Sequence, residues 1–182
     1  MNGPALRFGR AIGATSLTML ALVWYSKPSV QAASLPRVTL NADSIGPRAI
    51  EQRTGESVTR DYAQAWRDLA DALVTNRTAP LNDYFTGIAK KNLDWRIADQ
   101  RKSGLRAQYV DHGHQVKALF YSPDGGEMQL VDVAQIEVQV FDGQKLIYRS
   151  NSPQKYLVLM TPGADRWYVR SLESVPDSAV RD

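Results

Sequence analysis

The chain has two histidines, and both fall in the run Asp111-His112-Gly113-His114. Aspartate and two imidazoles this close together could bind a metal or move a proton. The metal reading is short of ligands. A zinc site takes three or four donors, usually histidine nitrogen or cysteine sulfur. The chain has no cysteine and no third histidine, so carboxylates would have to complete the set, and no metal is expected. If the strand is regular from Val110, even positions share a face. His112 and His114 then lie on the side of Val110, Val116, Ala118 and Phe120, and Asp111 points away. The plain alternative is a strand start kinked at Gly113, with its histidines at a wet rim.

A second acid stands out in "MQLVDVAQIEVQVF". Met128, Leu130, Ala134, Ile136, Val138 and Val140 alternate on one face, and Asp132 falls on that face by parity. A buried carboxylate needs a partner or a raised pKa. Paired with His112 or His114, Asp132 could serve as the proton-transfer group of a small enzyme. Two quieter readings compete. A bulge near Val133 would turn the carboxylate outward, or a residue of the helical layer holds it. Tyr62, Trp66, Tyr84, Phe85 and Trp95 could line a cavity, but aromatics at helical spacing are commonly core. Tyr84 and Trp95 are the ligand-binding candidates of this set. Lys90, Lys91, Arg96, Arg101, Lys102 and Arg106 could face anionic lipid, or form a solvated helix surface whose last turn favours cations. Asn76-Arg77-Thr78 matches a glycosylation sequon. No glycine-rich phosphate loop, G-x-S-x-G or H-E-x-x-H run is present.

The elements that must position these residues read in order. Residues 33–46 look like a tether or short edge segment, and Pro47 suits a helix start. The helical stretch that follows carries Tyr62, Trp66, Leu69 and Leu73 on one face, with a break expected at Gly55. Phe85, Ala89, Leu93 and Ile97 repeat every four residues in a second helix, which Gly104 should stop. From Leu105 the period becomes two. The strands "QVKALFYS", "MQLVDVAQIEVQVF", "QKLIYRS", "QKYLVLM" and "RWYVRSLE" are separated by turns, with Asp142-Gly143 a tight hairpin signal. Helices followed by antiparallel strands give an α+β fold, with the helices packed on one face of a curved antiparallel sheet.

The stretches "RDYAQAWRDLADAL", "LNDYFTG" and "GLRAQYVDHGHQVKALFYSPDGG", closed by "WYVRSLE" with Trp167 opening the last strand, resemble the nuclear transport factor 2-like superfamily, the cystatin-like cone. They look nearest its non-catalytic branch, which includes the IMS-type domains of plastid division proteins and the translocase-associated domains of mitochondria. The resemblance spans about residues 56–174 and implies a sheet curled around a cavity. The superfamily holds binding scaffolds as well as enzymes, ketosteroid isomerase among them, that use an acid facing into the cone. It therefore implies two uses for Asp132 and does not choose between them.

The N-terminus has the three parts of a secretory signal: Arg7 and Arg10, an apolar uncharged run over residues 11–25, and Val30-Gln31-Ala32 before a cleavage point. The uncharged run spans about 16 residues, where a spanning helix wants roughly 20. Cleavage after Ala32 and retention as an anchor through residues 8–26 are the two readings. The net charge of +3 belongs to this leader. Residues 1–32 hold Arg7, Arg10 and Lys27 and no acid, which leaves 19 basic against 19 acidic residues in the remainder. That balance argues against nucleic-acid binding. The expected organisation is a leader at 1–32, a tether and short helix at 33–55, a cone domain at 56–174 and a tail at 175–182. The expected role is an exported, periplasmic or otherwise extracytoplasmic, non-enzymatic binding or interaction module of the cell envelope. It needs no cofactor, and its partner is a protein, a small apolar ligand or a second copy docked through the sheet. The alternatives are the cone-pocket enzyme using Asp132 with His112 or His114, and an anchored structural part of an envelope assembly.

Overall fold

The computed structural model describes residues 35–43 and 45–176. The expected leader at 1–32, its anchoring segment 8–26 and most of the expected tail lie outside the described residues. Among the described residues no helix is long and apolar enough to cross a membrane.

Two helices pack on one face of a six-stranded sheet. The strands are β1 (Val38–Asn41), β2 (Leu105–Tyr121), β3 (Met128–Asp142), β4 (Lys145–Ser150), β5 (Gln154–Pro162) and β6 (Trp167–Ser174). Their order is β1-β2-β3-β5-β6, with β4 pairing β3 off that path. Neighbours are antiparallel except β1, which runs parallel to β2 from Val38 opposite His114 to Asn41 opposite Lys117. The sheet is thus mixed where an antiparallel one was expected. The reason is that residues 38–41, read as part of a tether, supply an edge strand that precedes both helices in the chain. β3 is long enough to hold two partners on one edge: β5 along Met128–Ala134 and β4 along Val138–Asp142.

Helix α1 (Gln52–Thr75) starts five residues after Pro47, which instead bridges to Tyr121. It runs through Gly55 without a break, since one glycine costs a helix only about 1 kcal/mol and tertiary burial outweighs that. Val58, Tyr62, Ala65, Trp66, Leu69, Ala72 and Leu73 fill its inner face, all 3% exposed or less. Asn76 closes the helix in the left-handed conformation and returns its backbone N–H to Ala72. Its side-chain amide donates to the Leu105 carbonyl, which ties the end of α1 to the start of β2. Helix α2 (Gly87–Lys102) buries Ala89, Leu93 and Ile97 at the expected spacing and ends on Arg101 and Lys102. Its Gln100 donates to the Leu73 carbonyl at 2.7 Å, locking the helices together.

Parity along β3 places Met128, Leu130, Asp132, Ala134 and Ile136 toward the helices, each 2% exposed or less. Between helices and sheet these residues meet Val116, Ala118, Val158, Met160 and Val169 in one continuous core. Two irregularities bend β2, one between Asp111 and Gly113 and one between Ala118 and Phe120. Each inserts an extra residue and switches which positions face the core.

Candidate functional site

The first of those bulges builds the site. Asp111 pairs with Ile136 and Gly113 with Gln135, so His112 is the extra residue and turns out to solvent. Before the bulge odd positions face inward, and after it even ones do. The regular strand expected from Val110 is corrected on two counts. His112 and His114 do not share a face, and Asp111 does not point away. The cause is local: Gly113 adopts φ +124°, a conformation that L side chains rarely enter. It also sits where a Cβ would lie 3.2 Å from the Arg37 carbonyl. The Gly113 amide donates to Asp111 Oδ1 at 2.8 Å and the His114 amide to the Arg37 carbonyl at 2.8 Å, fixing the bulge against the entry to β1.

Behind the bulge, four side chains form a buried chain. His114 Nδ1 lies 2.7 Å from Asp132 Oδ2, and His114 Nε2 lies 2.8 Å from Asp111 Oδ2. The Tyr62 hydroxyl, arriving from α1, donates to Asp132 Oδ2 at 2.8 Å. Asp132 Oδ1 is buried without a partner among the described residues. The side chains of His114 and Asp132 are wholly buried and that of Asp111 is 18% exposed.

Each ring nitrogen faces a carboxyl group, an arrangement that favours an imidazolium donating from both nitrogens. Burial alone would push its pKa down. The hydrogen bonds and charges of Asp111 and Asp132 more than reverse that, raising it to about 9. The Tyr62 hydroxyl is pushed well above the usual tyrosine range by burial and by the adjacent Asp132 charge, so it stays a donor. The aromatic surroundings suit a cation: the Trp66 ring lies 4.6 Å from the imidazole, centroid to centroid, and Tyr62 meets it edge-on at 5.8 Å.

A cavity of about 410 Å³ opens beside this cluster, between the two helices and the strands β2 to β6. Trp66, Leu69, Leu93, Tyr109, Val138 and Tyr156 form its apolar lining, with Asn92, Arg96, Ser150, Gln154 and Ser174 among the polar groups. None of Tyr62, Asp111, His114 or Asp132 lines it. Trp66 does, while packing on the imidazole, and so stands between cluster and cavity.

The other sequence candidates lie elsewhere. Trp95 is 72% exposed on the outer side of α2. Tyr84 is half-buried, with the Arg166 guanidinium 5.3 Å above its ring. Neither lines the cavity. Trp95 falls off the buried stripe of α2, which carries Leu93 and Ile97. The residues missed are Tyr109 and Tyr156, inward positions on β2 and β5, and Asp61. Tyr156 lies directly opposite Asp132 across the β3–β5 pair, a register that only the fold reveals. Asp61, 1% exposed, accepts the backbone N–H of Trp167 at 2.8 Å and the Arg60 side chain at 2.9 Å, pinning β6 to α1.

No family profile matches the chain, and no curated protein matches it in sequence. Solved structures match it in shape. The intermembrane space region of the chloroplast protein ARC6 is 16% identical with a TM-score of 0.60, over 71% of this chain and 98% of that one. The chain shares the fold of that region, two helices packed on one face of a sheet. Aln2 from a Streptomyces species is 13% identical with a TM-score of 0.47, over 72% of this chain and 96% of that one. A Nostoc punctiforme protein of unknown function with a cystatin-like fold is 10% identical with a TM-score of 0.42, over 70% and 96%. At 16% identity the likeness to the ARC6 region is one of fold alone.

Proposed function

We propose that this protein is a non-enzymatic binding module whose cone cavity holds a small ligand. One observation carries the reading: the acid–base cluster is closed off from the cavity. A proton-transfer catalyst needs a free lone pair within reach of its substrate. Here both nitrogens of His114 are engaged by carboxylates, and Trp66 separates the ring from the space a substrate would fill. The cavity's size and lining, apolar walls with a few hydroxyl and amide groups, fit a small-molecule site. Asp111, His114, Asp132 and Tyr62 then form an internal brace that joins α1 to the two central strands. Export to the envelope is part of this proposal, supported by the basic end, short apolar run and Val30-Gln31-Ala32 of the leader.

Proton NMR tests the division of labour. Both imidazole N–H protons of His114 should appear at neutral pH as separate downfield signals, protected from exchange with water. Rapid exchange, or a ring that titrates near neutrality, would put the cluster within reach of solvent and favour the proton-transfer enzyme.

A further inference from the structure

We infer that the cone cavity selects a small amphipathic anion: a planar apolar body ending in one carboxylate or a similar group, held by Arg96. The inference rests on the binding reading above and adds the ligand's charge. Among the described residues Arg96 is the one charged group in the cavity lining, and no carboxylate lines it. Cavities that take neutral ligands have no need of an unbalanced guanidinium at the mouth, and those that take cations need the opposite sign. Among the described residues Arg96 makes no ion pair. Its neighbour on α2, Lys90, is matched with Asp94 at 2.6 Å.

The guanidinium is also placed. It lies over the Tyr109 ring at 5.6 Å from the centroid, an arrangement that steadies an arginine without occupying its hydrogen-bond donors. Its charge reaches Tyr156, whose hydroxyl burial pushes above the ordinary tyrosine range and so keeps as a donor. Arg96 and Tyr156, which carry N–H and O–H donors, line the same cavity as an apolar floor of Trp66, Leu69 and Leu93. The floor would take a flat ring by stacking and the donors would take an anionic end.

Three probes of one shape separate charge from fit: naphthoate, neutral naphthamide and cationic naphthylmethylammonium. Calorimetry would measure their affinities for the protein, and heteronuclear NMR would map which residues respond. Naphthoate should bind about five- to tenfold more tightly than the amide, with shifts at Trp66, Tyr109 and Leu172. In Arg96→Gln, naphthoate should fall to the level of the amide while the amide itself is unchanged. Arg96 is exposed and its loss should leave the fold intact. If amide and naphthoate bind alike, if the ammonium binds best, or if Arg96→Gln leaves naphthoate unaffected, the charge inference is overturned and the binding reading survives. If none of the probes shifts a cavity residue, the binding reading falls and the inference falls with it.

Discussion

The His114 proton links this fold to pH. The imidazole holds its proton more tightly in the folded chain, with a pKa of about 9, than in the unfolded chain, at about 6.5. A group whose pKa is raised by folding stabilises most fully below its unfolded value, and the stabilisation is lost as pH rises through the folded value. Stability should therefore decline between about pH 6.5 and 9, by up to roughly 3 kcal/mol. Urea denaturation at about pH 6 and about pH 9.5 would measure it, and His114→Gln should remove most of the slope. Equal stability at the two pH values would mean that folding leaves the imidazole pKa where it is in the unfolded chain. Asp132→Asn tests the other end of the pair. The amide can keep the geometry but loses the charge, so the His114 pKa should drop and the fold should lose on the order of 3 kcal/mol, as expected when one partner of a buried pair is removed. Unchanged titration of His114 in that variant would show that Asp111 alone holds the proton. Asp132 was legible as a buried acid because its neighbours at two-residue spacing are apolar. Its donor Tyr62 was legible only as an apolar-face aromatic, since nothing in a one-dimensional pattern says where a hydroxyl points.

At the scale of elements, the main divergence between pattern and structure is one inserted residue in β2. Period-two reasoning assumes an unbroken strand, and a bulge reverses the face of every residue on one side of it. Gly113 carried the signal, because an isolated glycine in a strand marks a bulge or a close backbone approach, and here it marks both. Gly113→Ala should cost about 1–3 kcal/mol and loosen β1. Gly143→Ala is the control: it also has a positive φ, +56°, but nothing within 4 Å of the added methyl. A Gly113 variant that melts no lower than the Gly143 variant would remove the bulge from the account of the site. The helices were better determined, because Ala89, Leu93 and Ile97 bury the stripe their spacing describes, although Phe85, buried with them, lies two residues ahead of α2. Trp66 joins both layers, 3% exposed between α1 and the ring of His114. Its truncation to alanine should destabilise the domain by about 3–5 kcal/mol, read as a lower denaturation midpoint. A stable Trp66→Ala protein would mean that this indole contributes to the cavity alone.

Across the whole molecule, the α+β order, both helices and the strands from β3 onward follow from periodicity. The pairing of β4 and β5 along one edge of β3, and the parallel entry of β1, do not. Those are long-range registers set by which apolar faces meet, and β1 is only four residues, too short to show alternation. Residues 33–37 precede that strand in sequence, and this constrains the leader. Ala33 stands five residues before Val38, so a cut after Ala32 would leave β1 intact with a short lead-in. Cutting there also removes three positive charges and leaves a formally neutral chain. Expression of the full sequence in an exporting bacterial host should therefore yield a soluble extracytoplasmic protein whose intact mass begins at Ala33. An unprocessed chain in the membrane fraction would assign residues 8–26 to an anchor. The domain would then act at a membrane surface.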